Sequence, residues 1–376
     1  MTRPPRKPRP FRYRMDSWVR GIAIRVISWL APERPNVDLD PRDPSIRRIL
    51  LVRVNFRMGN AILTLPAIDA FRKNFPDAKI DFLGSPISSL LFRHQPLNEH
   101  YVAPRRFPQV VWQNPLLIQR LRANRYDLAV DVSCSHSGAA AFIIGLSAAR
   151  IRVGLSGKGD RVFNVKVPKL RERNKYHKLS EFLRALKLDR INTVGALEFS
   201  EGETNEARGR LQPLAVRKSG KVAGVFVGGR KLRGKGWPLE NFLEVIAGLR
   251  QSGIGVVVFL GPEEKEMGDF FKIRLAPEVP LVFESAVRKF AALVAHLDLL
   301  ICCDSGPMHL ACAAGTRVVA IFQARDVNRW APPPSAARVV VGATPAQVLG
   351  AALDELSCSN PAGSPPLRSA EITVTP

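Results

Sequence analysis

Long apolar runs are missing from this sequence. No stretch approaches the roughly 18 to 20 uninterrupted apolar residues of a membrane-spanning helix, so no such helix is expected. Cysteine is scarce. Cys134, Cys302, Cys303, Cys312 and Cys358 make an odd set with no CxxC pair and no His/Cys spacing suited to zinc. That pattern argues against a disulfide framework and a zinc module, and it fits a reducing compartment. Cys302, Cys303 and Cys312 lie in apolar surroundings and read as small buried hydrophobes. Acidic residues are few: 33 Asp and Glu stand against 56 Lys and Arg, for a formal charge of +23. Such a surface attracts phosphates of any kind, whether in nucleic acid, anionic lipid, phosphorylated glycan or nucleotide. The basic residues are spread widely, however, and no RRM, KH, helix-turn-helix or zinc-finger pattern occurs, so nucleic acid is not an expected partner. Short-period tandem repeats are also absent.

What is present is enough material for two domains, with 376 residues of which 46% are hydrophobic. Residues 1–44 read as a disordered basic arm, an amphipathic helix and a Pro/Asp-rich linker. Within 15–30, Met15, Trp18, Val19, Ile22, Val26 and Trp29 recur at helical spacing, with Arg20 and Arg25 off the stripe. A helix of that kind lies in a membrane interface, drawn to anionic lipid, or packs on the protein's own surface. Residues 45–195 alternate strand and helix, with strands over 49–54, 79–83, 128–132 and 151–154 and helices over 61–74, 116–123 and 176–186. A polar linker is expected over 196–218. The alternation restarts over 219–345, with strands at 222–227, 255–260, 281–283, 299–303 and 318–322 and helices at 239–251, 263–275 and 287–296. A terminal helix over 346–357 and a loose tail over 358–376 complete the chain. The pattern predicts an α/β protein with two doubly wound, mainly parallel sheets and a cleft between them.

Ligands of open α/β sheets bind beyond the carboxyl ends of the strands, so the residues that follow each strand are the candidates. The apolar run 299–303 leads into Asp304-Ser305-Gly306-Pro307-Met308-His309. Asp304 or Ser305 can cap the following helix, Pro307 suits its first turn, and Gly306 lets a ligand approach the backbone. This is either a phosphate site at a helix N-terminus or an ordinary capped helix. The strand at 222–227 ends in Gly228-Gly229-Arg230 and a basic loop carrying Lys235 and Trp237. Lys235 is placed to meet a phosphate. The first strand ends in Arg53-Val54-Asn55-Phe56-Arg57-Met58-Gly59-Asn60, which is neither GxGxxG nor a P-loop.

Together these segments resemble glycosyltransferase family 9, which includes the bacterial lipopolysaccharide heptosyltransferases, over roughly residues 48–357. That family opens with a strand, a turn ending in Gly-Asp and a helix carrying Thr-Leu-Pro-Ala. Gly59-Asn60 and Thr64-Leu65-Pro66-Ala67 stand there in this chain. The family's Lys-x-Trp-Pro is matched by Lys235-Gly236-Trp237-Pro238, and its Asp-Ser/Thr-Gly-x-x-His-Leu-Ala by Asp304 to Ala311. Tyr126-Asp127-Leu128, leading to Asp131, is similar to its fourth strand. The resemblance implies a GT-B fold of two Rossmann-like domains and an inverting, metal-independent transfer with no cofactor. It implies a heptose moved from an ADP-linked donor onto a lipopolysaccharide or related lipid-linked acceptor. The setting implied is the cytoplasmic face of a bacterial inner membrane, with residues 1–30 on its anionic surface. By position, Gly228, Lys235, Asp304, Ser305, Gly306, Pro307 and His309 hold the donor phosphates, and Glu263 or Glu264 meets the nucleoside.

One departure bears on the chemistry. The family's base position, the Asp of Gly-Asp, is Asn60 here, and an amide cannot take the proton that the acceptor hydroxyl loses. Asp131 is the candidate substitute, because the fourth strand of such a sheet lies beside the first. His136 and Asp160 are poorer candidates on loops. The alternative is a degenerate member that binds nucleotide-sugar or glycolipid without transferring it.

Overall fold

In this computed structural model the described residues are 35–103, 115–157, 160–214, 220–228, 236–323 and 326–358. The basic arm, the helix expected over 15–30, Lys235 and the tail from residue 359 lie outside them.

Two six-stranded parallel sheets dominate. The first holds β1 (Arg48–Val52), β2 (Lys79–Gly84), β3 (Glu99–Val102), β4 (Leu128–Asp131), β5 (Ile151–Leu155) and β6 (Val165–Val167), in the order β3-β2-β1-β4-β5-β6. The second holds β7 (Val222–Phe226), β8 (Gly255–Leu260), β9 (Leu281–Phe283), β10 (Leu299–Cys303), β11 (Arg317–Phe322) and β12 (Ala337–Val341), in the order β12-β11-β10-β7-β8-β9. Read from its other edge the second order repeats the first, with β7 in the place of β1 and β10 in the place of β4. The central strands are continuous apolar runs, such as Gly255–Leu260, buried at all six positions. Only a sheet covered on both faces can bury such a run throughout.

In chain order the helices of the first half are α1 (Met58–Ile62), α2 (Leu65–Asn74), α3 (Pro86–Leu91), α4 (Pro115–Ala123), α5 (Gly138–Leu146), α6 (Lys175–Ala185) and α7 (Glu201–Leu211). Those of the second are α8 (Leu239–Gln251), α9 (Gly268–Arg274), α10 (Val287–Val294), α11 (Gly306–Ala313), α12 (Val327–Trp330) and α13 (Pro345–Cys358). The helix expected over 61–74 is two helices. Pro66 has no N–H for the carbonyl of Ile62, so the chain breaks at Leu63 and Thr64, where Thr64 N donates to Ala61 O at 2.9 Å. Likewise 263–275 divides into a 3-10 segment, Pro262–Met267, and α9.

The stretch 196–218 is not a featureless linker. It carries α7, held by a capping box in which Ser200 accepts from Glu203 N and Glu203 accepts from Ser200 N. Its mostly polar faces hid it from a search for apolar periodicity. α7 also staples the halves together. Arg288 on α10 reaches Glu203 at 2.7 Å and the carbonyl of Leu91 on α3 at 2.8 Å, and it contacts the Glu198 carbonyl. One apolar cluster runs through both halves, from Ile49 and Phe71 to Met308 and Phe322. Cys358 ends α13 rather than starting a tail. No helix among the described residues is long and apolar enough to cross a membrane.

Candidate functional site

The turns that follow β10 and β1 meet at a junction between the two halves. On the far side of it, β10 leads directly into α11. Asp304 N donates to Ile321 O at 3.1 Å, which carries the pairing one residue past the strand. Ser305 then takes the N-cap position in extended geometry, with φ −148° and ψ 175°. The sequence suggests that Asp304 or Ser305 caps this helix, yet no side-chain cap bond forms, and Ser305 Oγ is buried without a hydrogen-bond partner among the described residues. A buried hydroxyl in that condition costs about 1–3 kcal/mol. Pro307 sits in the first turn, as expected. The helix end therefore offers backbone donors, a positive dipole end and one unspent hydroxyl, the components of an anion site.

His309 stands one turn into α11 and is buried. Its Nδ1 lies 2.6 Å from the hydroxyl of Tyr176, which belongs to α6 in the other half. The ring of Trp330 packs on it with a centroid separation of 6.0 Å. On its remaining edge His309 meets Gly59 of α1, where an added Cβ would sit 2.7 Å from His309 Cδ2. Gly306 faces Met58 in the same way, so the two strand-to-helix turns touch directly.

Gly228 and Glu264 form a second part of this wall. Glu264 is 7% exposed, and its carboxylate fits only because Gly228 and Gly261 have no side chains; a Cβ on Gly261 would lie 2.9 Å from its Oε2. Burial pushes the Glu264 carboxyl above its ordinary range, and neighbouring Glu263 adds to the effect. The structure separates the two acids, because Glu263 is exposed. Lys235 lies outside the described residues, but the Trp of its motif is anchored. Trp237 is buried against Phe242 and donates Nε1–H to Ala343 O at 3.2 Å.

On the near side, the Asn60 side chain braces its own turn. Its Nδ2 donates to Asn55 Oδ1 at 3.1 Å, and that oxygen also accepts from Arg57 N at 3.0 Å. Asp131 ends β4 opposite Val52 of β1, 4% exposed. Burial raises its carboxyl to about 6, against the pull of the Ser133 hydrogen bonds and of Arg53 and His136. Arg53 is buried beside it, with Nη1 on Val132 O at 2.9 Å and Nε without a hydrogen-bond partner among the described residues. Lys175, at the start of α6, is pushed down to about 8 by burial first, then by Lys178, Arg329 and Arg53. His136 and Asp160 are occupied elsewhere. His136 Nε2 is 2.9 Å from Ser156 O, and Asp160 Oδ2 accepts from Gly157 N at 3.0 Å. No group of three or more His, Cys, Asp and Glu side chains that could hold a metal occurs among the described residues.

Sequence reasoning missed Tyr176 and the group formed by Lys175, Lys178 and Arg329. Tyr176 opens an expected helix and no motif marks it; only the packing of α6 against α11 gives it a partner from the other half.

Known proteins resemble this chain in sequence and in fold. The model of glycosyltransferase family 9 (heptosyltransferase) matches residues 116–351. Lipopolysaccharide heptosyltransferase 3 of Escherichia coli is 27% identical over 288 residues, covering 73% of this chain and 83% of its own. Lipooligosaccharide heptosyltransferase 2 of Campylobacter jejuni is 22% identical over 73% of this chain and 81% of its own. Among solved structures, a family 9 glycosyltransferase from Veillonella parvula superposes with a TM-score of 0.74 at 20% identity, over 86% of this chain and 99% of that one. Escherichia coli heptosyltransferase WaaC with ADP superposes with a TM-score of 0.62 at 18% identity, over 82% and 98%. With two parallel Rossmann-like sheets in the GT-B arrangement and a family match across both, the chain belongs to glycosyltransferase family 9, the heptosyltransferases.

Proposed function

We propose that this transferase moves a heptose from ADP-heptose onto a lipopolysaccharide or related lipid-linked glycan, with inversion and without a metal. The observation that carries the reading is the unspent Ser305 hydroxyl at the start of α11, with His309 one turn on and Gly59 opposite. Support also comes from Escherichia coli heptosyltransferase WaaC, solved with ADP. In this reading the backbone of Asp304–Pro307, Ser305 Oγ, His309 and Lys235 hold the diphosphate. Gly228 allows close approach, and Glu264 accepts from the nucleoside.

The acceptor hydroxyl attacks the anomeric carbon from the first-domain side and passes its proton to a base. The bond from that carbon to the diphosphate oxygen breaks, and ADP leaves with the electron pair. Concentrating donors where the leaving group's charge develops is how such a site lowers the barrier. Asp131 is the base of this reading, because a carboxyl near 6 is basic enough to work and ionised at neutral pH. Asn60 favours a second reading, in which the protein binds the donor and transfers nothing. The chain's basic first 30 residues attach it to the cytoplasmic membrane surface, and removing residues 1–44 is expected to abolish co-sedimentation with anionic vesicles.

The two catalytic readings separate in one assay, the release of ADP from ADP-heptose with a lipopolysaccharide core acceptor. Transfer predicts acceptor-dependent release. Its kcat/KM should fall as pH drops through about 6, where Asp131 gains its proton. Asp131→Asn should then cost roughly 10²- to 10⁴-fold in rate. ADP binding without release would establish the second reading, and unchanged turnover in Asp131→Asn would remove Asp131 as the base.

A further inference from the structure

His309 and Tyr176 come from opposite halves of the molecule, yet they make one of its shortest side-chain contacts. The Tyr176 hydroxyl is 2.6 Å from His309 Nδ1, and both side chains are buried. Two proton arrangements satisfy that distance, and the surroundings choose between them. The phenol is buried, next to Cys312, and held well above its ordinary range, so it keeps its single proton. It needs an acceptor, and an imidazole nitrogen accepts far better than a thiol. In that arrangement the phenol is the donor to Nδ1. A nitrogen that accepts there carries no proton of its own. With that direction the imidazole is the tautomer with hydrogen on Nε2.

The backbone around Tyr176 is held just as firmly. Asn174 caps α6 by accepting from Tyr176 N at 2.9 Å, and the same side chain donates to Ala331 O at 2.9 Å in the second half. Trp330 packs on the His309 ring, and Gly59 lies against its Cδ2 edge. The ring's orientation is not left to chance, although the α11 sequence alone does not set it.

We propose that Tyr176 is a positioning residue for the donor site. It holds His309 as an Nε2–H donor toward the diphosphate, and it does so only when the two halves are in the arrangement seen here. The ligand class is a nucleoside diphosphate or its sugar ester, and the inference rests on the reading of α11 as the phosphate site. A residue from the acceptor-side half thus readies a donor-side group, and donor binding and the closed arrangement favour each other by linkage.

The test is Tyr176→Phe in the full chain, which keeps the ring and deletes the hydroxyl. Nitrogen NMR of histidine-labelled protein, with the His309 signal assigned by His309→Gln, reads the tautomer directly. The wild type should show proton on Nε2, and Tyr176→Phe a mixture of tautomers. ADP should bind to Tyr176→Phe about 5- to 10-fold more weakly, the loss of about one hydrogen bond's worth of affinity. An unchanged tautomer with unchanged ADP affinity would overturn the proposal. If Tyr176→Phe does not fold, a fluorinated tyrosine at 176 keeps ring and hydroxyl while strengthening the donor. It should leave the Nε2–H tautomer in place and shift the Nδ1 signal, and an unmoved signal would also overturn the proposal. Failure of the underlying reading looks different: wild-type protein would bind no ADP at all, whatever the tautomer of His309.

Discussion

The fourth strand of each sheet leads through an acid, Asp131 or Asp304, towards a helix, and the two turns are finished differently. After β4, the acid and the serines of the turn bond within it. Asp131 accepts from Ser133 N, Ser133 Oγ donates to Ser135 O, and Ser137 caps α5 by accepting from Ala140 N at 3.2 Å. After β10 the equivalent helix has no capping side chain, and Ser305 Oγ is left buried with no partner among the described residues. The same topology has produced one closed turn and one open turn. What differs is whether the side chains answer the helix end or leave it for a ligand. On the function proposed above, the anion belongs to the second sheet, and the first sheet keeps its buried acid, raised to about 6.

Closing the open turn sterically should have the largest effect. In Gly59→Ala the new methyl meets His309 Cδ2 at 2.7 Å, and that ring cannot retreat while Tyr176 and Trp330 hold it. A displacement of this order should lower turnover about 10²-fold, measured as kcat/KM for ADP release. Next comes opening the closed turn. Ser137→Ala removes the α5 cap and should lower stability by about 0.5–2 kcal/mol in denaturant titration, leaving ADP affinity unchanged. Smallest is Gly306→Ala, whose methyl meets only the flexible end of Met58. Its folding stability should change by less than about 1 kcal/mol, since a methionine end yields readily.

Most of the fold was legible in the sequence because its central strands are buried on both faces and therefore read as unbroken apolar runs. β3, with its Glu-His-Tyr-Val sequence, and α7, with its polar faces, were not legible, since each is defined by neighbours rather than by its own periodicity. The capping box at Ser200 and Glu203 was the one local signal for α7. In the site, the turn around Ser305 could be read because it is continuous in the chain. The partners of His309 could not, because Gly59, Tyr176 and Trp330 lie far from it in sequence and converge only when the two halves pack. Glu264 could be told from Glu263 only by its burial beneath Gly228.

The central claim is that the α11 N-terminus holds the donor's phosphates, and calorimetric titration of ADP into Ser305→Ala tests it most directly. The hydroxyl removed has no partner among the described residues, so stability should hold or rise. ADP affinity should fall about 10- to 150-fold against the wild type, because a hydrogen bond to the charged ligand is lost. Wild-type ADP affinity in Ser305→Ala, or a loss of stability like that of Ser137→Ala, would show that this helix end is an ordinary structural one.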